Sequence, residues 1–273
     1  MAMFNPIQIC DNYMEASVGK ANSPAWRLLV LGFAAGAFIA FGAVASSTAV
    51  HALDNVGLVR LVTALVFPVG ICMVIILGTE LFTGNVLMVT AVIEKKISWA
   101  GLARNWALVY VGNFLGAVTI AALMAFFGQM DIGAKALAVY TAKVAAAKSS
   151  LPWANAFVLG IFCNTLVCLA IYMGSSAQDT AGKILGLYLP IMAFVVSGFE
   201  HCVANMYYIP AGILANLNPA YTPLIAEAGV DAAVLDFATF FTANLVPVTL
   251  GNIVGGLLVG LLLYYTHSRP RSA

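Results

Sequence analysis

Long apolar runs, each closed by a short cluster of polar or charged residues, dominate the pattern of this chain. A helical run of about 20 apolar residues spans the hydrocarbon core of a bilayer. Six such runs fall near 28–50, 61–80, 105–127, 154–174, 184–206 and 238–265. Asp54 and Asn55, then residues 94–96, 128–148, 175–183 and 216–236, supply the polar punctuation between them. Residues 1–27 differ, carrying Asp11, Glu15, Lys20 and Arg27 without the cationic start, apolar stretch and small-residue site of a secretory signal. They read as a retained amphipathic segment with a helix start at Asn5-Pro6.

Two of the apolar runs contain the same polar interruption. Gly78-Thr79-Glu80-Leu81-Phe82-Thr83-Gly84-Asn85 and Gly198-Phe199-Glu200-His201-Cys202-Val203-Ala204-Asn205 both spell G-x-E-x4-N. A second pair, Gly112-Asn113-Phe114-Leu115-Gly116 and Gly251-Asn252-Ile253-Val254-Gly255, spells G-N-x-x-G in runs three and six. The chain therefore divides into halves of about 28–127 and 154–265, three spans each. Because three is odd, the second half enters the membrane inverted. Inverted repeats with broken helices near the midplane are a recurrent plan of transport proteins. The expected fold is an all-α membrane protein of six transmembrane helices, two of them interrupted.

Composition agrees. The residues are 62% hydrophobic and only 8% charged, with mean hydropathy +0.98. A net charge of +1 offers nothing to a polyanion, so nucleic acid is not an expected partner. With six spans both termini share one side, and eight of the twelve Lys and Arg residues collect there: Lys20, Arg27, Lys95, Lys96, Arg104, Lys183, Arg269 and Arg271. Arg60, Lys135, Lys143 and Lys148 fall on the other. This excess predicts cytoplasmic termini in a bacterial-type cytoplasmic membrane. The five cysteines form no C-x-x-C pair and read as packing residues, so neither a metal nor a cofactor is implied.

A break in a membrane helix frees backbone groups that lipid cannot satisfy, so it must be buried in protein or line a wet path. Glu80, Asn85, Asn113, Asn205 and Asn252 are expected to stitch the breaks together structurally. Glu200 is divided between that role and the path. His201, the one histidine inside a span, sits within the second break, where imidazole can donate or accept a proton. It is the leading candidate for a permeation role.

Several runs together resemble the formate/nitrite transporter family. They are 35–42 (AGAFIAFG), 80–85 (ELFTGN), Asn105-Trp106 with 109–113 (VYVGN), and 198–206 (GFEHCVANM). The resemblance implies a homopentamer of aquaporin-like protomers, each with its own pore for a small monovalent anion, formate foremost, with nitrite or hydrosulfide as alternatives and protons as possible companions. By position His201 matches the family's central histidine and Thr83 its partner in the first broken helix. Lys148 and Asn164 match the vestibule lysine and the asparagine below it, although an interfacial lysine that snorkels is the plain alternative for Lys148. Phe67, Val167 and Phe194 are implied at one constriction, Ile71 and Leu81 at the other, with Phe82 adjacent.

Other function classes fare worse. An enzyme needs a nucleophile with its base, paired carboxylates or a metal cluster, and neither H-E-x-x-H nor G-x-S-x-G occurs. A non-transporting assembly subunit has no need of two mirrored polar breaks. Asn218-Pro219-Ala220 occurs once, in a polar connection, and reads as a turn. Residues 267–273 read as a cytoplasmic tail.

Overall fold

The structure is a computed structural model that describes residues 3–268. Arg269 and Arg271, and with them most of the expected tail, lie outside the described residues. Among those described, helices account for all the regular structure apart from one isolated bridge, Met3 to Ala177.

The helix expected at Asn5-Pro6 is α1 (Pro6–Asn22). Its N-terminus is closed by a reciprocal pair: Gln8 N–H donates to Asn5 Oδ1 at 2.9 Å, and Asn5 N–H donates to Gln8 Oε1 at 3.0 Å. Span one is α2 (Ala25–Val50). Span two is α3 (Val56–Val66) and α4 (Val69–Ile76), jointed at Pro68. After the first break come α5 (Phe82–Asn85), one turn of 3₁₀ helix, and α6 (Val89–Ile93). Span three is α7 (Trp99–Phe126).

The second half repeats this order with α8 (Ala136–Ser149), α9 (Trp153–Ser176) and α10 (Thr180–Ser197), a break, then α11 (Cys202–Leu217). Two short helices, α12 (Thr222–Glu227) and α13 (Phe237–Thr239), precede a π-helical stretch at 240–245 and α14 (Val246–Leu263). Residues 237–268 run continuously as span six. Six helical segments are long and apolar enough to cross a membrane. The fifth apolar run, read as 184–206, is divided: Gly198 ends α10 and α11 begins at Cys202.

Each half also has a surface helix before its first span. Lys20 near the end of α1 and Lys148 near the end of α8 both stand twelve residues before a glycine, Gly32 and Gly160. The repeat thus starts before the first apolar run, and the 128–148 connection contains a helix that the apolar pattern does not announce.

Within each half the first and third spans meet at glycines. A Cβ on Gly36 would collide with the backbone of Asn113, and one on Gly116 with Phe33 O. In the second half, Cβ atoms on Gly251 and Gly255 would strike Phe157 O and Ile161 O. These are the small-residue contacts by which membrane helices gain close packing, here made within one protomer.

Candidate functional site

Both breaks begin with glycine in the left-handed region, Gly78 at φ +67° and Gly198 at φ +73°, where a side chain would be strained. The chain then runs extended to the first helical residue of each half-helix. There an asparagine from the third span of the same half catches it. Phe82 N–H donates to Asn113 Oδ1 and Cys202 N–H to Asn252 Oδ1, both at 2.9 Å. Asn113 Nδ2 donates to Gly32 O and Glu80 O; Asn252 Nδ2 donates to Gly160 O and Glu200 O. Each asparagine makes two bonds to backbone that the break leaves open and a third to a carbonyl of the first span of its half, Gly32 in α2 or Gly160 in α9, and both are fully buried.

The carboxylates are matched in the same way. Lys20 Nζ donates to Glu80 Oε2 at 2.9 Å, and Lys148 Nζ to Glu200 Oε1 at 2.7 Å. Asn85 Nδ2 bridges Glu80 Oε2 and Asn105 Oδ1, as Asn205 Nδ2 bridges Glu200 Oε2 and Asn244 Oδ1. Asn105 and Asn244 return a bond to the main-chain oxygens of Lys20 and Lys148. The two networks correspond in these bonds, which defines an inverted repeat in atomic terms; they differ in that Lys20 Nζ also donates to Asn85 Oδ1 at 3.0 Å, whereas Asn205 Oδ1 has no partner among the described residues. Glu80, Asn85, Asn113, Asn205 and Asn252 all hydrogen-bond at the breaks, and so does Glu200.

Where the halves differ, the difference is chemical. Leu81 and His201 occupy the N-cap positions of α5 and α11 with nearly the same backbone, φ −110° ψ 123° and φ −112° ψ 116°. Leucine leaves its helix without a side-chain cap, whereas His201 Nδ1 accepts the Ala204 N–H at 3.1 Å. A ring nitrogen that accepts carries no proton, so the neutral imidazole holds its proton on Nε2. Nε2–H then donates to Thr83 Oγ1 at 2.9 Å, joining the two breaks. The residue matching Thr83 in the second half is Val203, and the one matching Asn164 is Gly36.

His201 opens onto a cavity of about 160 Å³ that Phe67, Phe194, Lys148, Glu200, Asn205 and Tyr208 also line. The rings of Phe67 and Phe194 meet edge to face, 5.9 Å apart and at 84°, and Phe194 stands 6.1 Å from the imidazole. Lys148 Nζ lies 5.5 Å from the centre of the Tyr208 ring. Its charge is therefore shared between Glu200 and an aromatic face.

Of the other expected pore residues, Ile71, Leu81 and Val167 are buried in the same apolar core, away from this cavity's lining. Asn164 is fully buried; its Nδ2 donates to Thr83 O at 3.1 Å and Asn252 O at 2.6 Å. Its position is beside the first break, among backbone carbonyls, and its Oδ1 has no partner.

At the opposite end α1 lies against the first break. The Tyr13 hydroxyl donates to Gly84 O at 2.7 Å, and burial pushes its pKa well up, so it stays a donor. Lys96 and Glu15 form an ion pair, and Arg104 Nη1 donates to Ser23 O at 2.9 Å.

Sequence reasoning did not single out Lys20, Asn105, Asn244, Tyr13 or Tyr208 as site residues. A signal existed for three of them: Asn105 and Asn244 each stand eight residues before the asparagine that catches the break, and Lys20, like Lys148, stands twelve residues before a glycine of the first span of its half.

Six spans, an inverted repeat and a polar link between two broken helices define a membrane transport protein. A family model described as formate/nitrite transporter matches residues 7–266, and the chain belongs to that family. It is 41% identical to the probable formate transporter of Methanothermobacter thermautotrophicus, with 91% of both chains covered. It is 35% identical to the formate channel FocA of Escherichia coli K12, over 93% of this chain and 91% of that one. Among solved structures, a pentameric formate channel with formate bound superposes with a TM-score of 0.79 at 34% identity, covering 89% of this chain and 96% of the other. An ion channel of the same family gives 0.79 at 27% identity, covering 95% and 98%.

Proposed function

We propose that this chain conducts formate through a pore in each protomer of a homopentamer, in a bacterial-type cytoplasmic membrane with both termini in the cytoplasm. The observation that carries the reading is the Thr83–His201 link, the polar contact between the two breaks made by residues whose mirrored counterparts are apolar, Val203 and Leu81. Likeness to formate channels supports the substrate, and a solved relative that is pentameric supports the assembly.

In this reading the anion enters the cavity at Lys148, whose ammonium keeps N–H donors beyond the one given to Glu200. Phe67 and Phe194 then strip water from it. A bare anion between apolar rings is costly, so a hydrogen bond at the constriction lowers the barrier. His201 supplies it through Nε2–H, rotating from Thr83 to the substrate, while Nδ1 stays on the α11 cap. His201 thus acts as a hydrogen-bond donor in the neutral form. Handing over its one ring proton would leave an imidazolate, and charging Nδ1 would break the cap at the positive end of a helix.

Uptake of formate, nitrite and hydrosulfide by proteoliposomes, side by side at several pH values, tests the function. Selective formate flux is expected. A preference for another anion overturns the substrate, and absence of flux for all three overturns transport.

A further inference from the structure

The vestibule lysine is a poor long-range attractor. Its Nζ lies 2.7 Å from Glu200 Oε1, and a paired cation and anion present outside only the weak field of a dipole. A cation whose charge is not cancelled has to act further out if anions are to be gathered.

The structure has one at the right place. A second cavity, of about 340 Å³, adjoins the vestibule, and the two share Thr63, Tyr140 and Val195 as lining residues. Arg60 and Asp54 line this outer hollow, Arg60 from α3. Arg60 Nη1 donates to Val196 O at 3.2 Å, a neutral acceptor, and among the described residues Arg60 is in no ion pair, so its charge is not cancelled by contact with a carboxylate. A Cβ at Gly198 would stand 2.5 Å from the same Nη1, so a side chain there would displace the guanidinium. Arg60 also lacks a mirrored twin. The offset of 120 residues that takes Glu80 to Glu200 takes Arg60 to Thr180, a helix-start residue far from any break. Thr83, Asn164 and His201 are unmatched in the same sense, whereas the stitching residues are matched.

We propose that Arg60 forms an outer binding site for small monovalent anions, which collects them before they pass Thr63 and Tyr140 to Lys148. Asp54 opposes it from the same hollow, so the pair sets how strongly anions concentrate there. This rests on the reading of the chain as an anion channel. A role in closing the C-terminus of α10, which the bond to Val196 O also serves, predicts different results.

The experiment is formate flux in proteoliposomes at low and high ionic strength for wild type, Arg60→Gln, Arg60→Lys and Asp54→Asn. Arg60→Gln should raise the half-saturating concentration about fivefold at low salt, and the difference should shrink as salt screens it. Arg60→Lys should restore most of the affinity, and Asp54→Asn should lower the half-saturating concentration. Wild-type saturation in Arg60→Gln overturns the collecting role. So does an equal loss of maximal flux and thermal stability in Arg60→Gln and Arg60→Lys, with Asp54→Asn unchanged. A wild-type protein that carries no small anion overturns the functional reading itself, and the collecting role with it.

Discussion

Lys20 and Lys148 hold corresponding positions at opposite ends of the channel, each donating to a glutamate in a broken helix and each receiving an asparagine on its main-chain oxygen, with Lys20 adding a bond to Asn85 Oδ1. One lysine comes from α1 and the other from α8, so the two surface helices belong to the scaffold that holds the breaks. Charges this deep are tolerated because they are paired and hydrogen-bonded, and removing one partner leaves the other uncompensated. Lys20→Met and Glu80→Leu should each destabilise the protein by about 3–5 kcal/mol, and the double variant by less than the sum. Thermal unfolding in detergent measures this, and strict additivity would contradict a direct pair.

Asn113 and Asn252 should be equally indispensable. Each supplies two bonds to otherwise open backbone and a third that ties the break to a neighbouring span. Alanine at either position should cost roughly 2–5 kcal/mol, several buried backbone groups losing partners of about 1–3 kcal/mol each with partial relaxation. Leucine should be no better, since volume is not what is missing. A well-folded Asn252→Ala variant would show that water satisfies the break.

The glycine contacts give a test of packing without any bearing on charge. Gly116→Leu should prevent folding, because the backbone of Phe33 cannot move aside as a flexible side chain would. Gly19 has nothing within 4 Å of a Cβ and lies in the last turn of α1, so Gly19→Ala should stabilise by up to about 1 kcal/mol. Yield of folded pentamer and its unfolding temperature report both.

Phe67 and Phe194 are expected to set the size limit. Replacing either with alanine removes one side of an edge-to-face contact and opens the vestibule floor. Flux of a longer carboxylate such as butyrate should rise relative to formate. Unchanged exclusion in both variants would place the limit at another level, among Ile71, Leu81 and Val167.

Much of this arrangement was open to sequence reading. The six spans follow from apolar run length, and the breaks from G-x-E-x4-N, because a buried carboxylate followed by an amide has few explanations other than a break. What escaped is long-range pairing. Nothing in local spacing tells that Lys20 reaches Glu80, sixty residues on, or that Lys148 reaches Glu200. The helix at Ala136–Ser149 escaped because it lies on the surface, rich in alanine and lysine, within a stretch that reads as a connection. Asn164, set beneath Lys148 by resemblance, has partners that local spacing does not show. Its amide is committed to Thr83 O and Asn252 O.

Thr83 separates orientation from scaffold. Thr83→Val keeps shape but leaves the imidazole N–H unpaired, and should lower formate flux about fivefold, the equivalent of one buried hydrogen bond of about 1 kcal/mol. Thr83→Ser should retain most of it. Equal flux in both variants would remove Thr83 from the mechanism.

The most direct test of the account is formate flux in reconstituted His201→Asn beside wild type, with unfolding temperature measured on the same preparations. Asparagine can still cap α11 at the Ala204 N–H but lacks the second nitrogen that faces Thr83. The account predicts a folded pentamer whose formate flux collapses. Wild-type flux from the same folded variant would contradict it and leave His201 as a helix cap alone.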